Sequence, residues 1–124
     1  MLTALIAGVG GFIGTILRHG VSLLVGTYWF HKFPLATFLI NVTGSFVIGY
    51  FMTFAGERAT MLDPVWKLFF VTGILGGYTT FSAFEYETLR LSENNAWGWA
   101  TTYVVASVVL GFWAARLGAL VARA

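Results

Sequence analysis

The sequence contains no cysteine, only two prolines and few charged residues. No cysteine occurs among its 124 residues, which excludes disulfides, thiolate catalysis and cysteine-ligated metals. Charged residues make up 10% of the chain, whereas a soluble domain carries about a quarter. The net charge of +2 is too small and scattered for nucleic-acid binding. Hydrophobic residues make up 58%, which predicts a small all-α membrane protein.

Four apolar runs are long enough to cross a hydrocarbon core of about 30 Å. We place them at about residues 2–26, 35–55, 65–90 and 96–122, where they form a single four-helix transmembrane domain. Tryptophan and tyrosine lie near several predicted ends, as is typical of membrane interfaces. The N-terminus lacks a basic segment, so we expect no signal peptide.

The third run is interrupted in its middle. Three glycines, a Thr-Thr pair and a serine fall within the stretch Gly73–Phe84, and these residues do not sustain a helix. In hydrocarbon, broken backbone is tolerated only where it faces protein or a polar cavity. The interruption therefore predicts a functional site within the membrane.

Neutral polar residues accompany this break on two other spans. Thr37, Asn41 and Ser45 follow one face of the second span, and Tyr103 and Ser107 follow one face of the fourth. Such groups can serve as hydrogen bonds between helices, but an amide within a span has four hydrogen-bonding sites to satisfy. A path lined by neutral donors, with no carboxylate at the centre of a span, favours an anion.

The charged residues within the spans lie toward their ends. We expect Arg18 to anchor at the interface, and an anion-attracting vestibule is the alternative. Glu85 and Glu87 follow the break, and we expect an interfacial pair near Arg90. His19 and His31 have no second ligand at metal spacing, so we interpret them as structural.

Charge balance and small residues bear on assembly. Four basic residues fall on the predicted side of the termini and three on the other, a weak orientation signal that suggests insertion in both directions. Small residues recur at helical spacing and permit close helix packing, either within one chain or between chains. They are Ala7, Gly10, Gly11, Gly14, Gly44, Gly49, Gly111, Ala115 and Gly118. Together with the small size, they favour an antiparallel homodimer.

Three motifs occur in order along the spans. They are Gly10-Gly11-x-x-Gly14-x-x-x-Arg18, Thr37-x-x-x-Asn41-x-x-Gly44 and Gly73-x-x-Gly76-Gly77-x-Thr79-Thr80-Phe81-Ser82-x-Phe84. Over essentially its whole length the chain closely resembles the Fluc (CrcB) family of small bacterial fluoride channels. The third motif is the specific one.

The resemblance implies an antiparallel, dual-topology homodimer with two pores that exports fluoride passively and gives resistance to fluoride toxicity. It implies a location in the bacterial inner membrane, with a structural sodium ion on the dimer axis held by backbone carbonyls of Gly76 and Thr79. The pore and vestibule residues that it implies are Asn41, Phe81, Ser82, Phe84, Thr37, Tyr103, Ser107, Arg18 and Glu87. Four residues depart from the family pattern, namely Tyr78, Ala83, Glu85 and Gly111.

Two other functions are compatible with the residues alone. A small dual-topology exporter of cations or drugs would be proton-coupled and would depend on Glu85 or Glu87. A non-transporting membrane scaffold would need the small residues but not the Asn41 amide. An enzyme is the least expected, since no nucleophile–base pair or metal cluster has a usable spacing.

Overall fold

The computed structural model describes residues 1–57 and 63–124, and within them every regular element is helical. The elements are α1 Leu2–Tyr28, α2 Leu35–Glu57, α3 Pro64–Lys67, a π-helical segment Leu68–Leu75, α4 Gly76–Tyr78, α5 Ser82–Glu93 and α6 Trp97–Arg123. Helices α1, α2 and α6 are each long and apolar enough to cross a membrane. The expectation of an all-helical, multi-pass membrane protein is confirmed at this level. Arg58, which entered the charge balance, lies outside the described residues.

The third span runs from residue 64 to residue 93 and changes its form four times. The Asp63 carboxylate accepts a hydrogen bond from the Val65 N–H at 2.9 Å, and Pro64 begins the helix, where its missing N–H costs nothing. The π-helical segment and α4 follow, and the helix ends at Thr79, whose backbone is extended (φ −81°, ψ 159°). The helix starts again at Ser82. The break thus occupies residues 79–81.

Helix α1 packs against the first half of the third span through glycine. A Cβ added to Gly10 would lie 2.8 Å from the Gly73 Cα, and one added to Gly14 would overlap the Ile74 carbonyl. A Cβ at Gly77 would overlap the Gly11 carbonyl. This backbone-to-backbone approach is available only to glycine, so these residues set the distance between the two spans.

A second close contact joins α2 to α6. A Cβ at Gly49 would overlap the Ala115 carbonyl, and one at Gly118 would overlap the Phe46 carbonyl. Both glycine contacts therefore lie inside a single chain. The small-residue rows offered as support for a homodimer are used by intrachain packing, and that part of the sequence argument for a dimer is lost.

The buried core lies where α5 meets α6. Phe84, Leu91, Ala100 and Tyr103 are buried together there, and the Tyr103 side chain has no exposed surface. The Phe33 ring, from the segment between α1 and α2, packs edge-on against Tyr103 at a centroid distance of 5.4 Å. This core fixes α5 against α6 just beyond the break.

Candidate ion-binding site at the broken span

The break is held by the side chain of Asn41. Its Nδ2 donates to the Thr80 carbonyl and its Oδ1 accepts from the Thr80 N–H, both at 2.9 Å. These two hydrogen bonds satisfy the peptide groups that leave the helix, a requirement within a membrane. The Asn41 side chain thus replaces part of the missing helical ladder.

The same arrangement changes the hydrogen-bond partners of the backbone carbonyls just before the break. The Thr79 N–H and its hydroxyl both bond to the Leu75 carbonyl, at 3.0 and 2.9 Å. The Thr80 N–H is directed to Asn41 instead of to the Gly76 carbonyl. Among the described residues, no backbone N–H at positions 80–82 bonds to the carbonyl of Gly76 or Gly77. Carbonyl oxygens at this point are therefore available to another partner.

A cavity of about 480 Å³ lies beside the break, between α2, α6 and both halves of the third span. Its polar and aromatic lining consists of Asn41, Ser45, Thr79, Thr80, Phe81, Phe84 and Ser107. The Ser107 hydroxyl is buried and has no hydrogen-bond partner among the described residues. A buried hydroxyl without a partner is costly, so it is suited to receiving a ligand in the cavity.

Two phenylalanines stand at the cavity with different exposures. Their ring centroids are 6.0 Å apart with an interplanar angle of 40°. Phe84 is 9% exposed and packs against Tyr103, whereas Phe81 is 66% exposed. The ring of Phe81 is consequently free to meet something outside this chain.

Ser82 is not brought to this cavity. It begins α5, is exposed, and does not line the cavity of Asn41 and Phe84. Adjacent residues of a helix point about 100° apart, so a site that includes Phe81 and Phe84 does not include Ser82 from the same chain. Its expected place in the pore stays a prediction.

Thr37 and Tyr103 meet Glu87 at a separate point. The Thr37 hydroxyl donates to Glu87 Oε2 at 3.0 Å, and the Tyr103 hydroxyl donates to Glu87 Oε1 at 2.9 Å. The expected interfacial pair of Glu87 with Arg90 does not form, because both carboxylate oxygens are engaged by hydroxyls. Residue spacing could not indicate this cluster, since its members lie on three different elements, α2, α5 and α6.

Arg18 lines a further cavity of about 370 Å³ between α1, α2 and α5. Thr37, Thr80, Ala83 and Glu87 also line it. Thr80 borders both this cavity and the one beside Phe84. The break therefore lies between two cavities, and the Arg18 side chain is half-buried in one of them.

Three other residues that depart from the family pattern are Tyr78, Glu85 and Gly111. The Tyr78 hydroxyl shares a hydrogen bond with Thr43 at 2.9 Å, which adds a link between α4 and α2. Glu85 is exposed on α5. A Cβ added to Gly111 would lie 3.6 Å from the Ser45 Oγ, an ordinary contact. Thr80 bonds to Asn41 and lines both cavities, although no sequence argument distinguished it from its neighbours.

Among residues 1–57 and 63–124, no group of three His, Asp or Glu side chains could hold a metal ion. The expected ligation of a sodium ion by the backbone carbonyls of Gly76 and Thr79 stays a prediction. Oxygen donors of this kind suit a hard cation.

The fold and the site define a small multi-pass helical membrane protein with a polar site at a broken span. The chain belongs to the CrcB family: its residues 5–119 match the model of the "CrcB-like protein, Camphor Resistance (CrcB)" family.

Curated relatives agree over nearly the full length. The chain is 44% identical to "Fluoride-specific ion channel FluC 1" of Listeria monocytogenes, over 90% of this chain and 85% of the relative. It is also 44% identical to "Fluoride-specific ion channel FluC 1" of Brucella melitensis, over 94% and 95%. A third relative, "Fluoride-specific ion channel FluC" of Rhodospirillum rubrum, is 40% identical over 96% and 95%.

Proposed function

We propose that this chain forms a passive, fluoride-selective channel that exports fluoride and so protects a bacterial cell from it. The observation that carries the proposal is the identity of 40–44% to relatives named as fluoride-specific ion channels, over at least 85% of each chain. Those names also agree with the expectation that the chain is not an enzyme. The relatives are bacterial and the spans are helical, which supports a location in the inner, cytoplasmic membrane.

The geometry supports an anion path. The cavity beside the break offers the partner-free Ser107 hydroxyl, the Asn41 amide and the rings of Phe81 and Phe84. A small anion that has lost its water needs donors at short range, and aromatic ring edges carry partial positive charge. On the far side of Thr80, the Arg18 guanidinium provides further donors, whereas the hydroxyls of Thr37 and Tyr103 donate to Glu87.

A second copy in the opposite orientation would complete the site. Phe81 is two-thirds exposed at the cavity, so the path is open on one side in a single chain. A selective pore needs an enclosed path, because water at the ion would remove the advantage of the protein's donors. The support for a dimer is therefore the open cavity at Phe81, and no longer the rows of glycine residues.

A structural sodium ion on the dimer axis fits the donors at the break. The Gly76 carbonyl lacks the N–H that would follow it in a helix, and Thr79 begins the extended segment. One chain supplies too few oxygens for a cation, whereas two copies supply twice that number. The cation would then neutralise carbonyl charge at the contact between the copies.

Fluoride efflux from liposomes containing the purified protein tests the function. We expect fluoride release once a potassium ionophore balances charge, with no release of chloride and no dependence on a proton gradient. A silent wild-type protein contradicts the channel. Transport that needs a proton gradient and is abolished by Glu87→Gln would indicate the cation exporter instead.

Light scattering in detergent tests the assembly. We expect a particle containing twice the 13.6 kDa chain. Replacing sodium by a bulky organic cation should lower both the melting temperature and the flux. A monomer that conducts fully in the absence of sodium contradicts both the dimer and the ion.

A further inference from the structure

Two rows of exposed residues lead away from the cavity beside the break, in opposite directions. On α5, Glu85 follows Phe81 by four residues, and both side chains are exposed. On α6, Phe112 and Arg116 continue the spacing from Val108, which lines the cavity, and all three are exposed. Residues four apart lie on one face of a helix, so each row begins at the cavity and carries one charge.

Both charges lie within the spans. Glu85 precedes Glu93, the last residue of α5, and Arg116 precedes Arg123, the last residue of α6. Each of the two lies about 10–12 Å along its helix from that end. A charged group at this depth is costly unless it is paired or reaches the interface. In the described part of the chain, neither Glu85 nor Arg116 forms an ion pair.

The two charges lie in opposite halves of the bundle. The residue before Arg116 contacts Gly49, in the second half of α2. Two residues after Glu85, the Glu87 carboxylate bonds to Thr37, near the start of α2. These two contact points on α2 are separated by about 18 Å of helix, so Glu85 and Arg116 are too far apart to pair within one chain.

A second copy in the opposite orientation brings these halves together. The two-fold relation of an antiparallel pair sets residues on one side of the break against residues on the other side in the second copy. Glu85 lies about 6 Å along the helix beyond Phe81, and Arg116 lies about 12 Å beyond Val108. A helical side chain leans toward the start of its helix, so the long Arg116 side chain reaches back by about one turn. The carboxylate and the guanidinium of the second copy therefore fall at the same level.

The other unpaired cations among the described residues do not meet this condition. Three of them line cavities on the same side of the break as Glu85, and a second copy carries them to the opposite side; they are Arg18, Lys32 and Arg90. Lys67 lies at the far end of the third span, just after its start at Pro64. Within residues 1–57 and 63–124, Arg116 is thus the cation that suits Glu85.

We propose that the Glu85 carboxylate pairs with Arg116 of the partner subunit, twice in each antiparallel dimer of this chain. This inference rests on the dimer of the proposed function. The surface is self-complementary, since each copy supplies one carboxylate and one guanidinium. In a parallel pair, Glu85 would meet residues of its own half and stay unpaired. The contact therefore selects the antiparallel arrangement and fixes its register.

An anionic lipid headgroup is the other partner that Arg116 could bind, since a long side chain can extend to the interface. A lipid would leave the Glu85 carboxylate unpaired within the membrane, whereas a second copy satisfies both charges at once. The charges therefore favour the second copy.

Charge reversal gives an experiment in which the copies choose their partner. Chains with Glu85→Arg and chains with Arg116→Glu carry different affinity tags and are expressed together. A dimer of either variant alone sets like charges against each other at both contacts, whereas a mixed dimer restores an opposite pair at both. Wild-type chains with the two tags should give mixed and like dimers in a ratio of about one to one by random pairing. For the variants we expect mixed dimers in about tenfold excess, because juxtaposed like charges oppose association.

Glu93→Arg takes the place of Glu85→Arg in the control mixture. Glu93 is exposed on the same helix, about two turns further on, and its mixture with Arg116→Glu should keep a ratio of about one to one. Where the reversed chains do not accumulate, the neutral variants Glu85→Gln and Arg116→Gln supply the test. Their combination should lower the melting temperature of the dimer no further than either change alone, since each removes the same pair.

Mixed dimers at the ratio of the control, or additive shifts in the neutral variants, overturn the pair. A loss of melting temperature in Arg116→Gln that appears only with anionic lipid also overturns it and assigns Arg116 to a headgroup. A wild type that is dimeric but passes no fluoride overturns the proposed channel and leaves the pair in place. A monomeric wild type overturns the dimer and the pair together.

Discussion

Asn41 and Thr80 are joined by a reciprocal pair of hydrogen bonds, in which one side-chain amide satisfies both polar groups of a residue 39 positions away. Each bond is 2.9 Å long, and the two hold α2 to the break in the third span. The amide donates through Nδ2 and accepts through Oδ1, whereas the isosteric carboxylate of aspartate has no donor at pH 7. The identity of residue 41 is therefore fixed by the backbone of the break as well as by any ion.

Asn41→Asp should impair both conduction and stability. The carboxylate would face the Thr80 carbonyl without a hydrogen to donate, and a fixed negative charge would enter the anion path. We expect fluoride efflux to fall about a hundredfold or more, and the free energy of unfolding to fall by about 1–3 kcal/mol. Efflux assays and thermal melts measure the two effects. Asn95→Asp is the control: it makes the same chemical change in an exposed turn and should preserve both.

Phe81→Ile and Phe84→Ile should separate conduction from stability. Phe81 is 66% exposed, so its replacement should change the unfolding free energy of the monomer by less than about 0.5 kcal/mol. Loss of a ring edge should still slow fluoride about tenfold, because aromatic contacts of this kind are worth about 0.5–1.5 kcal/mol each. Phe84→Ile should reduce both quantities, since Phe84 packs on Tyr103. Full flux in Phe81→Ile would contradict a role for that ring; Phe12→Ile, exposed on α1, is the control.

Tyr103→Phe tests the cluster around Glu87. Removing the hydroxyl leaves one oxygen of a part-buried carboxylate without its donor, which should lower the unfolding free energy by about 1–3 kcal/mol. Thr37→Val should act on the other oxygen, and the double variant should depart from additivity because the two hydroxyls share one carboxylate. Tyr86→Phe, at an exposed position of α5, should be silent. Strict additivity would show that the two hydroxyls act independently.

Gly14→Ala should destabilise the packing of α1 on the third span. The added methyl group would overlap the Ile74 carbonyl, and relieving that overlap should cost about 1–3 kcal/mol. Gly20→Ala lies on the same helix with nothing within 4 Å, and should be neutral or stabilising by up to about 1 kcal/mol. Melting curves of the two proteins in the same detergent provide the comparison. Equal melting temperatures would contradict the close approach.

The helical spans and the position of the break could be predicted from the sequence, because both depend on local properties. Hydropathy and length fix a span, and the helix limits differ from the predicted ones by at most three residues. The glycines and threonines predict a break somewhere within residues 73–84. The structure limits the break to residues 79–81, and Gly73, Gly76 and Gly77 before it are helical.

The partners of the polar groups could not be predicted, because they depend on how the spans pack. The depth of Asn41 in a span identifies it as an unusual residue. It does not reveal that the Asn41 amide bonds to Thr80. Glu87 appeared from its spacing to pair with Arg90, whereas packing of α5 on α6 places it by Tyr103. The glycine rows permit contact within or between chains alike, and only the assembled helices show that several are used within one.

The partition between the cavity of Phe84 and that of Arg18 includes the backbone of Thr80. Every amino acid except proline supplies the same peptide N–H and carbonyl, so most codon changes at position 80 leave that part of the barrier in place. A substitution at codon 41 can change the orientation of the Thr80 peptide groups, since the Asn41 amide bonds to both the N–H and the carbonyl of Thr80. A mutation that alters passage between the two cavities should therefore map to codon 41, which is distant in the gene from the barrier itself.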